Sequence, residues 1–269
     1  MATYIYPTHK EPKKIVDLTG IAQSYNNGQS YIIKDLNFAV QEQTDKGKFI
    51  GLLGASGSGK STLLRYIAGL QIPTAGNVLI NGATPSADNR VSVVFQEYSS
   101  MPWYTVLENV ALALTYKGMS KKERNERAME MIELVGLSGH ENKYAQIPGL
   151  SGGQLQRVAI ARSLLANSNI LLMDEPFGAL DINTRLQMQD LLLSLQEKFK
   201  MYVIFVTHDI SEAVYLSDVI YMMKKAPSLI EEEIIINLPD HRSRDLKRDP
   251  KFIDLVYQVE DVMVRLSED

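Results

Sequence analysis

The run Gly54-Ala55-Ser56-Gly57-Ser58-Gly59-Lys60-Ser61 constrains this chain more than any other feature. It fits the pattern G-x-x-x-x-G-K-[ST], with an apolar run before it (49–53) and a helical pattern after it (59–70). The glycines let the backbone curl until several N–H groups point at one centre. The helix that follows adds the partial positive charge of its N-terminus there. Lys60 supplies a full charge for a β/γ-phosphate, and the Ser61 hydroxyl, followed by Thr62, is a hard-oxygen ligand suited to Mg²⁺. Average residue frequencies give this pattern in roughly 1% of chains of this length. The flanking strand and helix therefore decide for a phosphate cradle over an ordinary Gly/Ser turn.

A cradle between strand and helix implies an α/β sheet. The short continuous apolar runs at 170–173 and 203–206 read as strands buried on both faces, as in a parallel sheet with helices on each side. A helix at 184–199 connects them. Earlier strands are expected at 15–18, 31–40, 49–53, 78–80 and 91–95. Turns are expected at Asn26-Asn27, Gly28, Asp45-Lys46-Gly47 and the strong pair Asn81-Gly82. Residues 96–168 are helix-rich, with helices at 106–116, 121–135 and 154–165. The second has Ala128, Met131, Ile132 and Val135 at helical spacing. Beyond 224 come a strand-like run (Glu232, Ile234, Ile235, Ile236) and an amphipathic helix at 252–266, too little for an independent regulatory domain.

Composition sets outer bounds. The 269 residues, 45% of them hydrophobic, suffice for one large domain or a domain with a subdomain. A net charge of −4 and a pI near 5.7 leave no electrostatic footprint for nucleic acid, which is not expected as a partner. The absence of cysteine excludes disulfides and thiolate metal sites. Residues 1–14 mix Lys, Glu, Pro and His without the apolar core of a signal peptide. No run approaches the ~18 apolar residues of a spanning helix, so any membrane role is expected to come through a partner.

Two further features refine the chemistry. Asp174-Glu175 ends the run at 170–173, which would deliver both carboxylates to the sheet edge that carries the cradle. Two acids ending a strand are usually just exposed. Beside a phosphate site, Asp174 suits a Mg²⁺ shell and Glu175 the orientation and deprotonation of an attacking water. Leu150-Ser151-Gly152-Gly153-Gln154 opens a helix and offers a hydroxyl, two glycine N–H groups and a helix N-terminus: a second phosphate-facing start. One chain has only one γ-phosphate to offer, so this loop is expected to serve another chain's nucleotide.

In these residues the sequence resembles the ABC-transporter ATPases, from about 15 to 225. Residues 54–62 correspond to the family's Walker A loop, 150–154 to its signature, and Asp174 and Glu175 to the Walker B aspartate and catalytic glutamate. Tyr25, in preference to nearby Tyr31, matches the aromatic that stacks on adenine. Gln96 matches the glutamine that touches Mg²⁺ and the attacking water. Ala179-Leu180-Asp181 match the D-loop, and His208 the switch histidine that contacts the γ-phosphate. The resemblance implies a P-loop NTPase (RecA-like) core, an inserted α-helical subdomain at about 95–165 and an antiparallel β subdomain. It also implies ATP and Mg²⁺ as cofactors and a homodimer with two ATP molecules sandwiched head to tail.

Phe95-Gln96-Glu97, Met101-Pro102-Trp103 and residues 105–110 are similar to the nitrate, sulfonate and taurine importer group. That likeness implies membrane permease subunits docked near Trp103, a solute-binding protein acting indirectly, and a cytoplasmic place on the inner face of the membrane. A lipid- or drug-exporting ABC system, a soluble ABC protein without a membrane partner, and a non-hydrolysing nucleotide-binding module remain as alternatives. One departure is Val219, where the family usually has Arg; only a surface contact is expected to change there.

Overall fold

The computed structural model describes residues 13–268 except 27, 44–45, 87–88, 90, 97–98, 167 and 226. Asn27, Asp45, Glu97 and the leader reading of residues 1–12 lie outside the described residues. The chain opens with β1 (Lys14–Gln23), β2 (Ile33–Gln41), β3 (Lys48–Gly54) and α1 (Lys60–Ile67), then β4 (Ala75–Ile80) and β5 (Ser92–Val94). Three helices follow: α2 (Val106–Tyr116), α3 (Lys121–Leu134) and α4 (Gly152–Leu165). Then come β6 (Ile170–Asp174), α5 (Ile182–Phe199), β7 (Tyr202–Val206), α6 (Ile210–Leu216), β8 (Val219–Met223) and β9 (Ile230–Ile235). A 3-10 turn (Arg244–Arg248) and α7 (Pro250–Glu268) close the described chain.

The strands make two sheets. An antiparallel sheet runs in the order β2-β1-β4, and a larger one in the order β5-β6-β7-β3-β8-β9. The first five strands of the larger sheet are parallel, and β9 adds to its edge antiparallel to β8. Period-2 geometry explains why the parallel strands read as unbroken apolar runs. Phe49, Leu53, Leu171, Met173, Val203 and Phe205 join one core. Their neighbours Ile50, Leu52, Ile170, Leu172, Ile204 and Val206 point the other way into a second core. The first core also takes α2 to α7; the second takes α1 and the antiparallel sheet. Each such fully buried side chain is worth about 1.5–3 kcal/mol.

Local chemistry sets most boundaries. Asn81 and Gly82 both have positive φ (51° and 80°), the condition for a type I′ turn. Ile80 and Ala83 exchange backbone hydrogen bonds of 2.7 and 3.1 Å around it. Thr105 and Glu108 form a capping box at the start of α2, and Ser120 accepts from Glu123 N at the start of α3. Two expectations are corrected. Phe95 lies past the end of β5 and is 41% exposed, because the strand ends where the glutamine loop leaves the sheet. Val219 is not a surface position: it is 2% exposed, as the first residue of β8 inside the second core. Among the described residues no helix is long and apolar enough to cross a membrane.

Candidate functional site

Strand order assembles the site. Because β5, β6, β7 and β3 are parallel neighbours, their C-terminal ends share one edge of the sheet. From that edge leave the loops bearing Gln96 after β5, Asp174-Glu175 at the end of β6, His208 after β7 and the phosphate cradle after β3. A sheet edge of this kind is where open α/β folds bind ligands.

The cradle is shaped by its glycines and by the start of α1. Gly54 has φ +153°, and a Cβ there would sit 2.3 Å from the Met223 carbonyl oxygen of β8, so the backbone approach admits no side chain. Ser58 N–H donates to Ala55 O (3.1 Å), closing the curl. The N-cap of α1, Gly59, makes no side-chain capping bond, which leaves the first-turn N–H groups for an anion. Lys60 is buried, and its Nζ donates to the carbonyls of Gly54 (2.8 Å) and Ala55 (3.0 Å). Burial pulls its ammonium below the ordinary lysine range, while Glu175 and Asp174 oppose the shift.

Ser61 and Asp174 meet across the edge: Ser61 Oγ donates to Asp174 Oδ1 at 3.0 Å. Burial pushes the Asp174 carboxyl up, and the Ser61 bond pulls it down. A hydroxyl and a carboxylate in contact beside a phosphate cradle are the hard-oxygen donor pair that suits Mg²⁺. Among the described residues no group of three or more His, Cys, Asp or Glu gathers into a metal site. The remaining ligands would have to come from the Gln96 amide, phosphate and water.

Glu175 is held in the left-handed region (φ +46°), with its N–H donating to Val206 O at 3.0 Å. A non-glycine residue there carries of order 1 kcal/mol of strain, which persists only where the surroundings fix it. Its Oε2 lies 3.5 Å from His208 Nδ1. Gln96 Nε2 and Glu175 Oε2 both lie against Gly178, at 3.8 and 3.9 Å from a Cβ position there. Gln96, Glu175, His208, Asp174, Ser61 and Lys60 are thus brought together. Behind His208, Thr207 Oγ1 donates to the buried Glu212 (2.8 Å) and accepts from Asp209 N–H (3.0 Å), which fixes the loop.

Tyr25 stands just past β1, 69% exposed, with its hydroxyl accepting from Gln71 Nε2 at 3.2 Å. Tyr31 is 38% exposed and lies against Gly28. Ser151, Gly152, Gly153 and Gln154 form a separate group. Ser151 Oγ accepts from Gln154 N–H (3.3 Å), and Gln154 Oε1 accepts from Ser151 N–H (2.9 Å). Among the described residues no hydrogen bond or ion pair joins 151–154 to the cradle of the same chain. A Cβ on Gly153 would sit 2.3 Å from Thr184 Cγ2. This glycine lets the start of α4 touch the start of α5, where Asp181 caps Asn183 and Thr184 N–H at 3.1 Å each. Sequence reasoning did not find the Thr207–Glu212 support; the spacing Asp209…Glu212 is a capping signal that could have shown it.

Fold and site together define a P-loop nucleotide-binding protein of the NTPase class. The ABC transporter family profile matches residues 33–178. A nitrate import ATP-binding protein of Synechocystis is 42% identical over 234 residues, covering 84% of this chain and 85% of that protein. A taurine import ATP-binding protein of Pseudomonas syringae pv. tomato is 40% identical, covering 91% and 94%. The dimeric structure of a bacterial ABC transporter cassette superposes with a TM-score of 0.69 at 35% identity, covering 83% of this chain and all of that one. The chain belongs to the ABC transporter family, as an ATP-binding and ATP-hydrolysing subunit.

Proposed function

We propose that this chain is the motor of an importer for a small anionic or organic solute, working as a head-to-tail homodimer on membrane permease subunits. The observation that carries the hydrolytic part is the cluster at one sheet edge: Ser61 in contact with Asp174, and Glu175 3.5 Å from His208. Each ATP would lie with its phosphates on residues 54–62 of one chain and on 151–154 of the other. Tyr25 would stack on the adenine, and Asp181 would sit at the dimer seam. Ser61, Asp174 and Gln96 would hold Mg²⁺, which when bound screens the phosphate charges and polarises the transferred group. Lys60 then neutralises β/γ-phosphate charge, Glu175 takes the proton of the attacking water, and His208 donates to the γ-phosphate.

The two import relatives support import over export. A solute-binding protein would act indirectly, and the chain would sit peripherally on the inner face of the membrane. The ATPase domain would run over 15–225, as a core (15–94 and 166–225) with a helical subdomain (95–165), followed by a tail (226–269).

The test is Glu175→Gln, alone and with Ser151→Arg, followed by light scattering on a sizing column with and without ATP. The amide keeps the shape of the carboxylate but is a far weaker base, so turnover should fall by about 10²–10⁴. The single variant should accumulate as an ATP-bound dimer and the double variant should stay monomeric. Full activity in Glu175→Gln removes that residue as the base. Dimerisation of the double variant removes residues 151–154 from the partner's ATP.

A further inference from the structure

The loop at residues 151–154 has a support that lies outside every phosphate-facing segment. Gln154 Oε1 must face Ser151 N–H, which donates to it at 2.9 Å. The amide's other end is thereby aimed away from the box, and Nε2 lies 3.0 Å from His140 Nε2. An NH₂ group can only donate, so the His140 nitrogen facing it is the bare acceptor. The ring proton then sits on Nδ1, 3.3 Å from the Ser138 carbonyl oxygen. The turn bearing His140 is itself fixed on α2, with Val106 N–H donating to Lys143 O (2.9 Å) and Leu107 N–H to Glu141 O (3.0 Å).

We infer that His140 is a positioning residue of this loop: its neutral ring locks the Gln154 amide in the one orientation that closes the Ser151 capping box. The inference rests on the reading of 151–154 as the face offered to a second chain's ATP. The box consumes the N–H groups of Ser151 and Gln154. It leaves the Ser151 hydroxyl proton and the N–H groups of Gly152 and Gly153, which make no hydrogen bond among the described residues, to face a phosphate. A second proton on His140 sets N–H against NH₂. The amide must then turn its NH₂ toward Ser151 N–H, and the box opens. The charged side chains on the elements around His140 are Glu141 and Lys143 on its own turn, Glu108 on α2, and Arg157 and Arg162 on α4, of which Arg162 donates to Ser99. Glu141 accepts from Gly139 N–H (2.7 Å), Glu108 is taken up by Thr105, and Arg157 donates to the Val135 carbonyl.

The experiment compares the purified full chain with His140→Gln and His140→Phe. Glutamine offers an acceptor oxygen at similar reach and does not titrate; phenylalanine keeps the ring and offers no acceptor. At pH 8 His140→Gln should turn over ATP within about twofold of the unaltered chain. His140→Phe should lose about fivefold in kcat, the size of one helix-cap hydrogen bond, while the dilute monomer binds a fluorescent ATP analogue unchanged. Between pH 8 and 6 the unaltered chain should lose about fivefold relative to His140→Gln. Every other ionisable group is common to the two chains, so the ratio isolates residue 140. A flat ratio, or His140→Phe matching His140→Gln at every pH, overturns the inference; should His140→Phe not fold, the ratio decides. If Ser151→Arg also fails to block the ATP-bound dimer, the reading of the loop is what fails. If Ser151→Arg blocks it and the ratio is flat, only the role of His140 falls.

Discussion

Asp174 is a carboxylate that the fold keeps against its own solvation. Burial raises its pKa above the ordinary 3.8, despite the hydrogen bond from Ser61. A folded-state value above the unfolded one means that stability from this group is full below the unfolded value and is lost as pH rises through the folded value. At neutral pH the ionised Asp174 therefore weighs against folding until a cation offsets it. Asp174→Asn keeps the shape and still accepts from Ser61. Without nucleotide or Mg²⁺ it should melt about 2–4 °C higher at pH 7.5, corresponding to about 1 kcal/mol. The gain should shrink as pH falls toward the raised carboxyl value, and Mg²⁺-dependent ATP hydrolysis should be lost. A lower melting temperature at pH 7.5 would show that the charge stabilises the fold. Lys60, Ser61, Asp174 and Glu175 were legible in the sequence because each follows a strand or opens a helix at fixed spacing. His140 was not: a single histidine in a turn says nothing until folding sets it beside Gln154.

At the scale of elements, legibility followed apolar run length. The runs that became β3, β6 and β7 were visible because both faces of those strands are buried. The seven-residue α6 is too short to show a helical period, and β8 follows it after only Ser217 and Asp218, so neither was foreseen. The start of α4 was placed two residues late because Gly152 and Gly153 are poor helix formers, and the Ser151–Gln154 box overrides that preference. The segment between β9 and α7 carried no sequence signal, yet one of its cations anchors it. Arg242, with its side chain 2% exposed, donates to the Tyr215 carbonyl at the end of α6 (2.8 Å) and to Asp218 Oδ1 (2.9 Å). Asp218 also accepts from Phe49 N–H of β3 (2.8 Å), so the tail is tied to the central sheet. Removing one partner of a buried pair costs about 3–5 kcal/mol, and the partial exposure of Asp218 lowers the expectation to about 2 kcal/mol. Arg242→Ala should lower the urea midpoint accordingly with an unchanged m-value. An unchanged midpoint would mean that the tail contributes nothing through this contact.

Across the whole molecule, the catalytic edge and the exposed tryptophan of the helical segment occupy different elements. Trp103 is 65% exposed, edge-to-face with Tyr104 at 6.3 Å between ring centres. The bridge between Thr105 and Tyr144 brings Tyr144 (56% exposed) alongside, and Ile147 (63% exposed) follows in the same segment. The loop that presents Trp103 is rigid. Asn109, fully buried, accepts from Met101 N–H (2.8 Å) and donates to the carbonyls of Met101 (3.0 Å), Tyr104 (3.1 Å) and Thr105 (3.0 Å). An exposed aromatic on a pre-set loop loses little conformational freedom when covered, which is the character of an interface anchor. Core packing, the ordinary role of a tryptophan, does not fit this degree of exposure. Trp103→Ala should therefore change stability by no more than about 0.5 kcal/mol, and leave ATPase activity of the isolated chain within about twofold. Its effect should appear on assembly. An anchor of about 2 kcal/mol corresponds to roughly thirtyfold weaker association with the permease subunits, measured by titrating the purified chain onto permease held in detergent. Equal association with a normal melting temperature would place the permease elsewhere on the surface. A large fall in melting temperature would make Trp103 a packing residue in spite of its exposure.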